Sequence, residues 1–306
     1  MNKLPLIVYL LLFAPFLFAQ QTQEAPTCGV NDAQMSTEVL SRVRNAKNFI
    51  KASKALRTIQ TGTWICRLAI EIDSETFEKF ERDSAFVKRE VINTVAQVSK
   101  MYEKELNVRL VPTVIHIWKD AATDPYRGKR NIYDLLGLFQ SQWNYYDEFK
   151  KLAPQYDKAV FMTSKALLGA AGIAYLGGTE CIVPWGRAGL GTFAHELAHT
   201  YGVPHTQSCE WPEGPLDYCT PSEGTCYDGA INTTAGTIMS YCGPRLATFH
   251  EMCRSVIQQY AQEHLLSANN KPQSPVLAST YYFQKHANIV WEPSISAEEY
   301  VVQVST

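Results

Sequence analysis

The chain has 306 residues, a formal net charge of −2 and 46% hydrophobic residues. Such a composition is that of an ordinary globular protein, and the near balance of charge without a basic run argues against nucleic acid as a partner. The length accommodates one substantial domain and a small addition.

The first 19 residues have the pattern of a secretory signal peptide. Lys3 gives a positive start, residues 4–18 form an apolar run, and Ala19 stands at the expected cleavage point. A membrane anchor is the alternative, but the run is short for a span and contains two prolines. We therefore expect a secreted protein that keeps no membrane span after cleavage.

The eight cysteines predict disulfides, because exported chains meet an oxidising compartment. The sequence does not select among the pairings. Five of the cysteines lie between Cys209 and Cys253, where we expect a loop-rich wall held by disulfides. Residues 20–60 are expected to form an N-terminal region like a prosegment, with helical character over residues 35–59.

An alternation of strands and helices begins near residue 61. Strands are predicted over residues 63–72, 108–118 and 158–163, and helices over residues 85–106 and 132–152. Pro112 indicates a bulge or an edge in the second strand. The order β-α-β-α-β predicts a mixed α/β fold, in which helices back a twisted mixed sheet.

The rest of the chain divides into shorter predicted elements. Short strands are expected over residues 173–176 and 181–184, and a helix over residues 246–266 closes the domain. Residues 269–275 have the composition of a linker. Residues 276–306 resemble the opening strands of a fibronectin type III module, of which they would be only a part because a full module needs about 90–100 residues.

A single motif, H-E-x-x-H-x-x-G-x-x-H, occupies residues 195–205. His195 and His199 share one face of a helix and can reach the same metal ion. Gly202 allows a sharp turn, after which His205 can return as the third ligand. Three protein ligands leave one position open, which is typical of a catalytic zinc site, and Glu196 can reach a water there. The alternative is a helix whose histidines merely cap or pack, but it explains neither the glycine nor the third histidine.

This motif resembles that of the metzincin clan of zinc metallopeptidases, and residues 61–268 resemble a reprolysin-like (adamalysin-type) catalytic domain of bacterial type. The resemblance implies a metzincin fold, with the zinc helix at the floor of the cleft and one catalytic Zn²⁺. Met239, in the sequence Thr-Ile-Met-Ser-Tyr-Cys, matches the methionine turn of the clan. Thr206 stands where adamalysins usually have aspartate, so pappalysin-like and serralysin-like membership stay open. No pattern in the sequence places a structural Ca²⁺ or sets the oligomeric state.

The resemblance implies three further roles. Tyr241 matches a tyrosine that some metzincins place near the metal, although a merely packed tyrosine is the alternative. Ile173, Ala174 and Tyr175 would form the edge strand at the cleft rim, which pairs with extended substrates; an ordinary loop and strand is the alternative. Cys28, followed by glycine, would act as a latency switch whose thiolate covers the zinc. A disulfide, for instance with Cys66, is the other interpretation of Cys28.

Together these observations predict a secreted zinc endopeptidase that acts on proteins or peptides. Glu196 would serve as the general base and then as the acid. A non-catalytic, zinc-stabilised adhesion or binding module is the alternative, and a metallohydrolase acting on something other than peptide is a further one. The intact Glu196 argues against the binding module, which has no need of a base at that position.

Overall fold

The structure is a computed structural model that describes residues 28–30, 35–55, 63–186, 189–231, 235–243, 246–267, 277–283 and 286–291. The predicted signal peptide and the predicted linker at 269–275 lie outside the described residues. The helices are α1 (Thr37–Ala55), α2 (Ser74–Lys79), α3 (Ser84–Leu106), α4 (Ile132–Tyr145), α5 (Asp147–Lys150), α6 (Leu190–Thr200) and α7 (Glu251–His264). The strands are β1 (Trp64–Ile72), β2 (Val108–Ile117), β3 (Lys158–Thr163), β4 (Ile173–Ala174), β5 (Glu180–Pro184), β6 (Leu266–Ser267), β7 (Leu277–Phe283) and β8 (His286–Trp291).

The centre of the fold is a mixed sheet in the order β2-β1-β3-β5-β4. Strand β1 is parallel to β2 and β3, β3 is parallel to β5, and β4 runs antiparallel to β5. The prediction of a mixed five-stranded sheet backed by helices is confirmed. Strand β6 adds a sixth strand by pairing antiparallel with the start of β1, and its two residues carry too little pattern to be predicted.

Pro112 lies at an edge and beside a bulge. Strand β2 is the outermost strand on its side of the sheet, and the pairing with β1 shifts register between Leu68 and Ala69, opposite Pro112 and Val114. Proline has no N–H to donate to a ladder, so an edge strand with an irregular register accommodates it at little cost. The prediction made from Pro112 is confirmed.

Helices cover both faces of the sheet. On one face, α3 buries valines at helical spacing, among them Val91 and Val98, in a core that includes Leu68 of β1. On the other face, Phe139 of α4 packs in a separate core with Phe161 of β3. Alternate residues of a strand point to opposite faces, which is why neighbouring residues of β1 enter different cores.

Two predicted helices are wrong in their extent. The helix predicted over 132–152 ends at Tyr145, and α5 begins at Asp147. The extended Tyr146 (φ −87°, ψ 127°) redirects the chain, so Phe149 packs on Trp143 with ring centroids 4.9 Å apart. The closing helix, predicted from residue 246, begins at Glu251, because His250 Nδ1 accepts the Met252 N–H at 3.2 Å and caps the helix there.

Helix α1 is packed into the main core and against α7. Val39, Val43 and Ala46 are buried there. Across the helix pair, Arg42 donates to Glu263 at 3.2 Å and Asn45 Nδ2 donates to Gln259 Oε1 at 3.0 Å. The helical character predicted for residues 35–59 is confirmed over Thr37–Ala55. The predicted boundary between a prosegment and the domain stays a prediction.

Beyond the domain, β7 and β8 pair antiparallel. They fall in the segment predicted to be part of a fibronectin type III module, and that assignment stays a prediction. None of the helices in the described part of the chain is long and apolar enough to cross a membrane.

Candidate metal centre

Helix α6 carries the first two histidines of the motif, and a glycine turn returns the third. His195 and His199 are buried on α6, which ends at Thr200. Gly202 adopts φ +91°, and its N–H donates to the carbonyl of His199 at 2.8 Å. A Cβ at Gly202 would also lie 3.1 Å from both Cγ atoms of Val39 in α1. The backbone conformation therefore favours glycine here, and Val39 leaves little space for a Cβ.

The three imidazoles converge on one point. The Nε2 atom of His199 lies 3.1 Å from His195 Nε2 and 3.1 Å from His205 Nε2. Burial and the charges of the other two histidines lower the pKa of His199 well below its usual value, which favours the neutral imidazole that binds metals.

The other ring nitrogen of each histidine has an acceptor as its partner. His195 Nδ1 lies 2.7 Å from the carbonyl of Ile238, and His199 Nδ1 lies 2.7 Å from that of Val203. His205 Nδ1 lies 3.0 Å from Glu223 Oε2. Because carbonyl and carboxylate oxygens only accept, each Nδ1 carries the proton and each Nε2 presents its lone pair to the common point.

This donor set fits a zinc ion. Nitrogen ligands at 2.0–2.1 Å around a tetrahedral ion lie about 3.3 Å from one another. The observed separations of 3.1 Å are close to that value. The three histidines that the motif predicts as ligands, His195, His199 and His205, would therefore hold the ion.

Cys28 is brought to the same point. The ligating atoms of Cys28 and the three histidines all lie within 4.8 Å of one another. The thiol Sγ lies 3.5 Å from His199 Nε2 and donates to Glu196 Oε2 at 3.3 Å. A disulfide with Cys66 is not present, since both cysteines are free. Burial and then the charge of Glu196 raise the pKa of the Cys28 thiol to about 12, whereas a bound cation would favour the thiolate.

The segment around Cys28 is extended and lies on the rim of the cleft. The Gly29 N–H donates to the carbonyl of Gly172 at 3.0 Å, and Cys28 forms a parallel bridge with Gly172. Gly172 directly precedes β4, where Ile173 and Ala174 are placed as predicted, while Tyr175 lies just beyond the strand. The short strand predicted over residues 173–176 is thus two residues shorter than expected, because the chain turns over residues 175–178 to enter β5.

Tyr241 contacts the third histidine, and Met239 lies in the neighbouring turn. The Tyr241 hydroxyl is 3.1 Å from His205 Nε2 and donates to the carbonyl of Cys28 at 3.4 Å. Burial raises the pKa of Tyr241, so the phenol keeps its proton. Met239 is fully buried, and its carbonyl accepts the Thr206 N–H at 3.1 Å. That bond ties the methionine turn to the residue after the third histidine.

The cysteine-rich segment is held by two disulfides, Cys209–Cys226 and Cys219–Cys242. The prediction that disulfides hold this loop-rich segment is confirmed. Cys253, the last of the five cysteines of that segment, forms no disulfide and is a buried free thiol on α7. A buried cysteine of this kind packs as a small apolar side chain.

Glu223 was missed by reasoning from the sequence. It contacts the third histidine from a loop 18 residues further on, and no spacing rule relates the two. The nearest signal is its position between Cys219 and Cys226. The need for glycine at position 172 was also missed, since it arises from the close approach of Glu196.

A buried H-E-x-x-H helix, a returning third histidine and an adjoining glutamate define a metal-dependent hydrolase of the zinc-peptidase class. The family model Reprolysin_5, described as metallo-peptidase family M12, matches residues 62–250. That match covers more than half of the chain, and the chain belongs to metallopeptidase family M12, whose members use zinc and act on proteins or peptides.

One solved structure that contains a similar chain is described as "Structure of a chaperone-substrate complex". The sequence identity is 13%, the TM-score is 0.44, and the match covers 66% of this chain and 35% of that chain. This chain therefore matches about a third of the other chain's length.

Proposed function

We propose that the chain is a secreted zinc endopeptidase in which Glu196 is the general base. One observation carries this proposal. The Cys28 Sγ stands 3.5 Å from His199 Nε2 and 3.3 Å from Glu196 Oε2. An atom at that position is thus within reach of the ligand set and of the carboxylate together, and a water that replaced the thiol would have the same two neighbours.

The residues of the site then have separate roles in hydrolysis. Bound to the three imidazoles, zinc supplies Lewis acidity that polarises a carbonyl group and makes water more acidic. Glu196 takes a proton from the attacking water as the oxygen bonds to the carbonyl carbon. It then gives the proton to the leaving nitrogen as the C–N bond breaks. The Tyr241 hydroxyl, which keeps its proton, is placed to donate to the oxyanion.

Substrate would bind as an added strand along Gly172 and β4. The pairing of Gly29 with Gly172 supports this, because the rim accepts a backbone hydrogen bond from an extended segment there.

The two disulfides are in keeping with export to an oxidising compartment. The adamalysin-type, bacterial assignment and the partial fibronectin type III segment at 276–306 are retained as parts of this proposal. The non-catalytic module is not favoured, since the chain belongs to a peptidase family.

The mechanism is tested by Glu196→Ala, with Glu213→Ala as the control, both in a Cys28→Ser background in which the thiol no longer occupies the position beside Glu196. Glu196→Ala should bind one zinc ion per chain and lose about 10²–10⁴-fold in the hydrolysis of a quenched fluorescent peptide. Glu213 is an exposed residue whose salt-bridge partner is Lys47, outside the motif, so Glu213→Ala should hydrolyse normally. Turnover by Cys28→Ser/Glu196→Ala at the rate of Cys28→Ser would overturn the mechanism.

We also propose that Cys28 keeps the enzyme latent. The thiol occupies the position next to the ligand nitrogens, and the bond from Gly29 to Gly172 occupies the rim where substrate would pair. Cys28→Ser should therefore raise the peptidase activity of the full chain, whereas Cys66→Ser, which removes a free thiol within β1, should not. Equal latency in the wild type and Cys28→Ser would remove this role.

A further inference from the structure

His205 differs from the other two histidines in its position in the fold and in the acceptor that its Nδ1 atom faces. His195 and His199 lie on α6 and give their Nδ1 protons to backbone carbonyls. His205 lies in a loop, and its Nδ1 faces a carboxylate, Glu223 Oε2, at 3.0 Å. A carboxylate is a stronger acceptor than a carbonyl, and its hydrogen bond to Nδ1–H makes the opposite ring nitrogen a better donor to a metal.

Glu223 is itself fixed on both sides. Its backbone forms an isolated bridge with Ser208, in which the Glu223 N–H donates to the carbonyl of Gln207 at 3.0 Å and the Cys209 N–H donates to the carbonyl of Glu223 at 2.9 Å. Its second carboxylate oxygen, Oε1, accepts from Gln207 Nε2 at 2.9 Å. Both oxygens therefore have a donor, and the side chain is oriented toward His205.

The covalent framework around Glu223 fixes the loop further. The Cys209–Cys226 disulfide joins the two segments that meet in this bridge. Gly224, next to Glu223, adopts φ +113°, and a Cβ there would lie 2.8 Å from the Cβ of Cys209. Only glycine permits this conformation and this close approach. The disulfide and the glycine thus place Glu223 against a ligand that no helix holds.

We propose that Glu223 is a positioning residue for the third zinc ligand and that the Cys209–Cys226 disulfide retains the metal by holding Glu223 in place. Glu223 fixes His205 in the tautomer with the proton on Nδ1 and raises the affinity of the site for zinc. The disulfide acts on the same contact, so its loss weakens zinc binding by the same route. This inference rests on the proposed zinc site.

Zinc affinity of the full chain is the primary measurement, made by competition with a chromophoric chelator. Removal of an outer partner of a ligand typically costs 10–100-fold in metal affinity. We expect a loss of about that size in Glu223→Ala. A smaller loss is expected in Glu223→Gln, whose amide oxygen still accepts the bond without the charge. Glu213→Gln, in the same loop region, should bind zinc like the wild type, because Glu213 is exposed and pairs with Lys47.

Two further measurements separate positioning from a general structural effect. The visible absorption band of the Co²⁺-loaded protein should change in Glu223→Ala and stay unchanged in Glu213→Gln, because the band reports ligand geometry. The double variant Cys209→Ser/Cys226→Ser should weaken zinc binding, and Glu223→Ala should add little in that background, because both changes remove one contact.

The outcomes are distinct. Wild-type zinc affinity and an unchanged cobalt spectrum in Glu223→Ala would overturn this inference and leave the zinc site intact. If the loss of zinc affinity in the combined variant equalled the sum of the losses from the disulfide change and from Glu223→Ala, the two would act independently. That result would overturn the proposal that the disulfide acts through Glu223. A wild-type chain that binds no zinc would overturn this inference together with the proposed function.

Discussion

Replacing Gly172 by alanine tests how closely the cleft rim is packed against helix α6, which carries the proposed general base. The added Cβ would lie 2.6 Å from Cγ and Oε1 of Glu196 and 2.6 Å from Cγ2 of Thr192. Ordinary van der Waals contact begins near 3.4 Å, so the rim and α6 must separate by roughly 0.8 Å or the side chains must shift by as much.

Neither element gives way easily. Helix α6 is fixed through the Tyr102 hydroxyl, which donates to the carbonyl of Ala194 at 2.8 Å, and Glu196 itself is 1% exposed. The rim is paired to β5 through Ile173 and Ala174. Overpacking of this kind costs about 1–3 kcal/mol of stability, and a shift of about 1 Å in a catalytic group can cost on the order of 100-fold in rate.

Two quantities are measured for each variant: kcat/KM with a fluorescent peptide, and the melting temperature. Every protein compared also carries Cys28→Ser, so that none of them is latent. Gly172→Ala should lower both kcat/KM and the melting temperature. Gly191→Ala is the matched control on α6, because it is exposed and a Cβ there meets nothing within 4 Å. It should stabilise the helix by about 1 kcal/mol and leave turnover unchanged. Full activity and stability in Gly172→Ala would show that the rim and the helix are not packed this closely.

Three further predictions concern the scaffold. Burial raises the pKa of Glu71 to about 7, above its ordinary 4.5, although Trp143, Trp118 and Tyr126 donate hydrogen bonds to it. Its favourable contribution is therefore complete below pH 4.5 and is lost as the pH rises through about 7. Relative to Glu71→Gln, the wild type should lose roughly 3 kcal/mol of unfolding free energy over that interval; parallel pH curves from urea melts would contradict this. Val39→Ala removes the methyl groups that pack on Gly177 and Gly202 and should cost about 2 kcal/mol in a urea melt, an expectation that a loss below about 0.5 kcal/mol would contradict. Lys158→Met leaves the carbonyls of Gly178 and Thr200 without their buried donor and should cost about 2–3 kcal/mol in the same assay, so unchanged stability would show that these bonds add nothing.

The convergence of the three histidines proposed as zinc ligands could be predicted from the sequence, because it depends on local spacing. His195 and His199 are one helical turn apart, and Gly202 with φ +91° returns the chain to His205 three residues later. The alternation of strands and helices was equally local, so β1 to β3 and α3 emerged with small errors at their ends. Cys28 was predicted to lie at the metal only through a family resemblance, because its contact with His199 spans 171 residues.

What escaped prediction depends on contacts between distant segments. Glu223 meets His205 through a loop whose path is set by two disulfides, and the sequence cannot select those pairings. The end of α4 at Tyr145 was missed because Trp143, Tyr146 and Phe149 follow one another at intervals of three residues, which fits a continuous helix. In the structure the helix breaks at Tyr146, and Phe149 packs on Trp143 across that break. Strand β6 has two residues, which are too few to show an alternating hydrophobic pattern, so only its pairing with β1 identifies it as a strand.

Glu196 and the three histidines are proposed to form a peptidase site that Cys28 keeps latent. Hydrolysis of casein by zinc-loaded Cys28→Ser protein, compared with Cys28→Ser/Glu196→Ala protein of equal zinc content, tests both parts at once. We expect cleavage by the first protein and a loss of about 10²-fold or more in the second. Equal cleavage by both, or zinc-loaded Cys28→Ser protein that cleaves nothing, would show that the site does not work in this way.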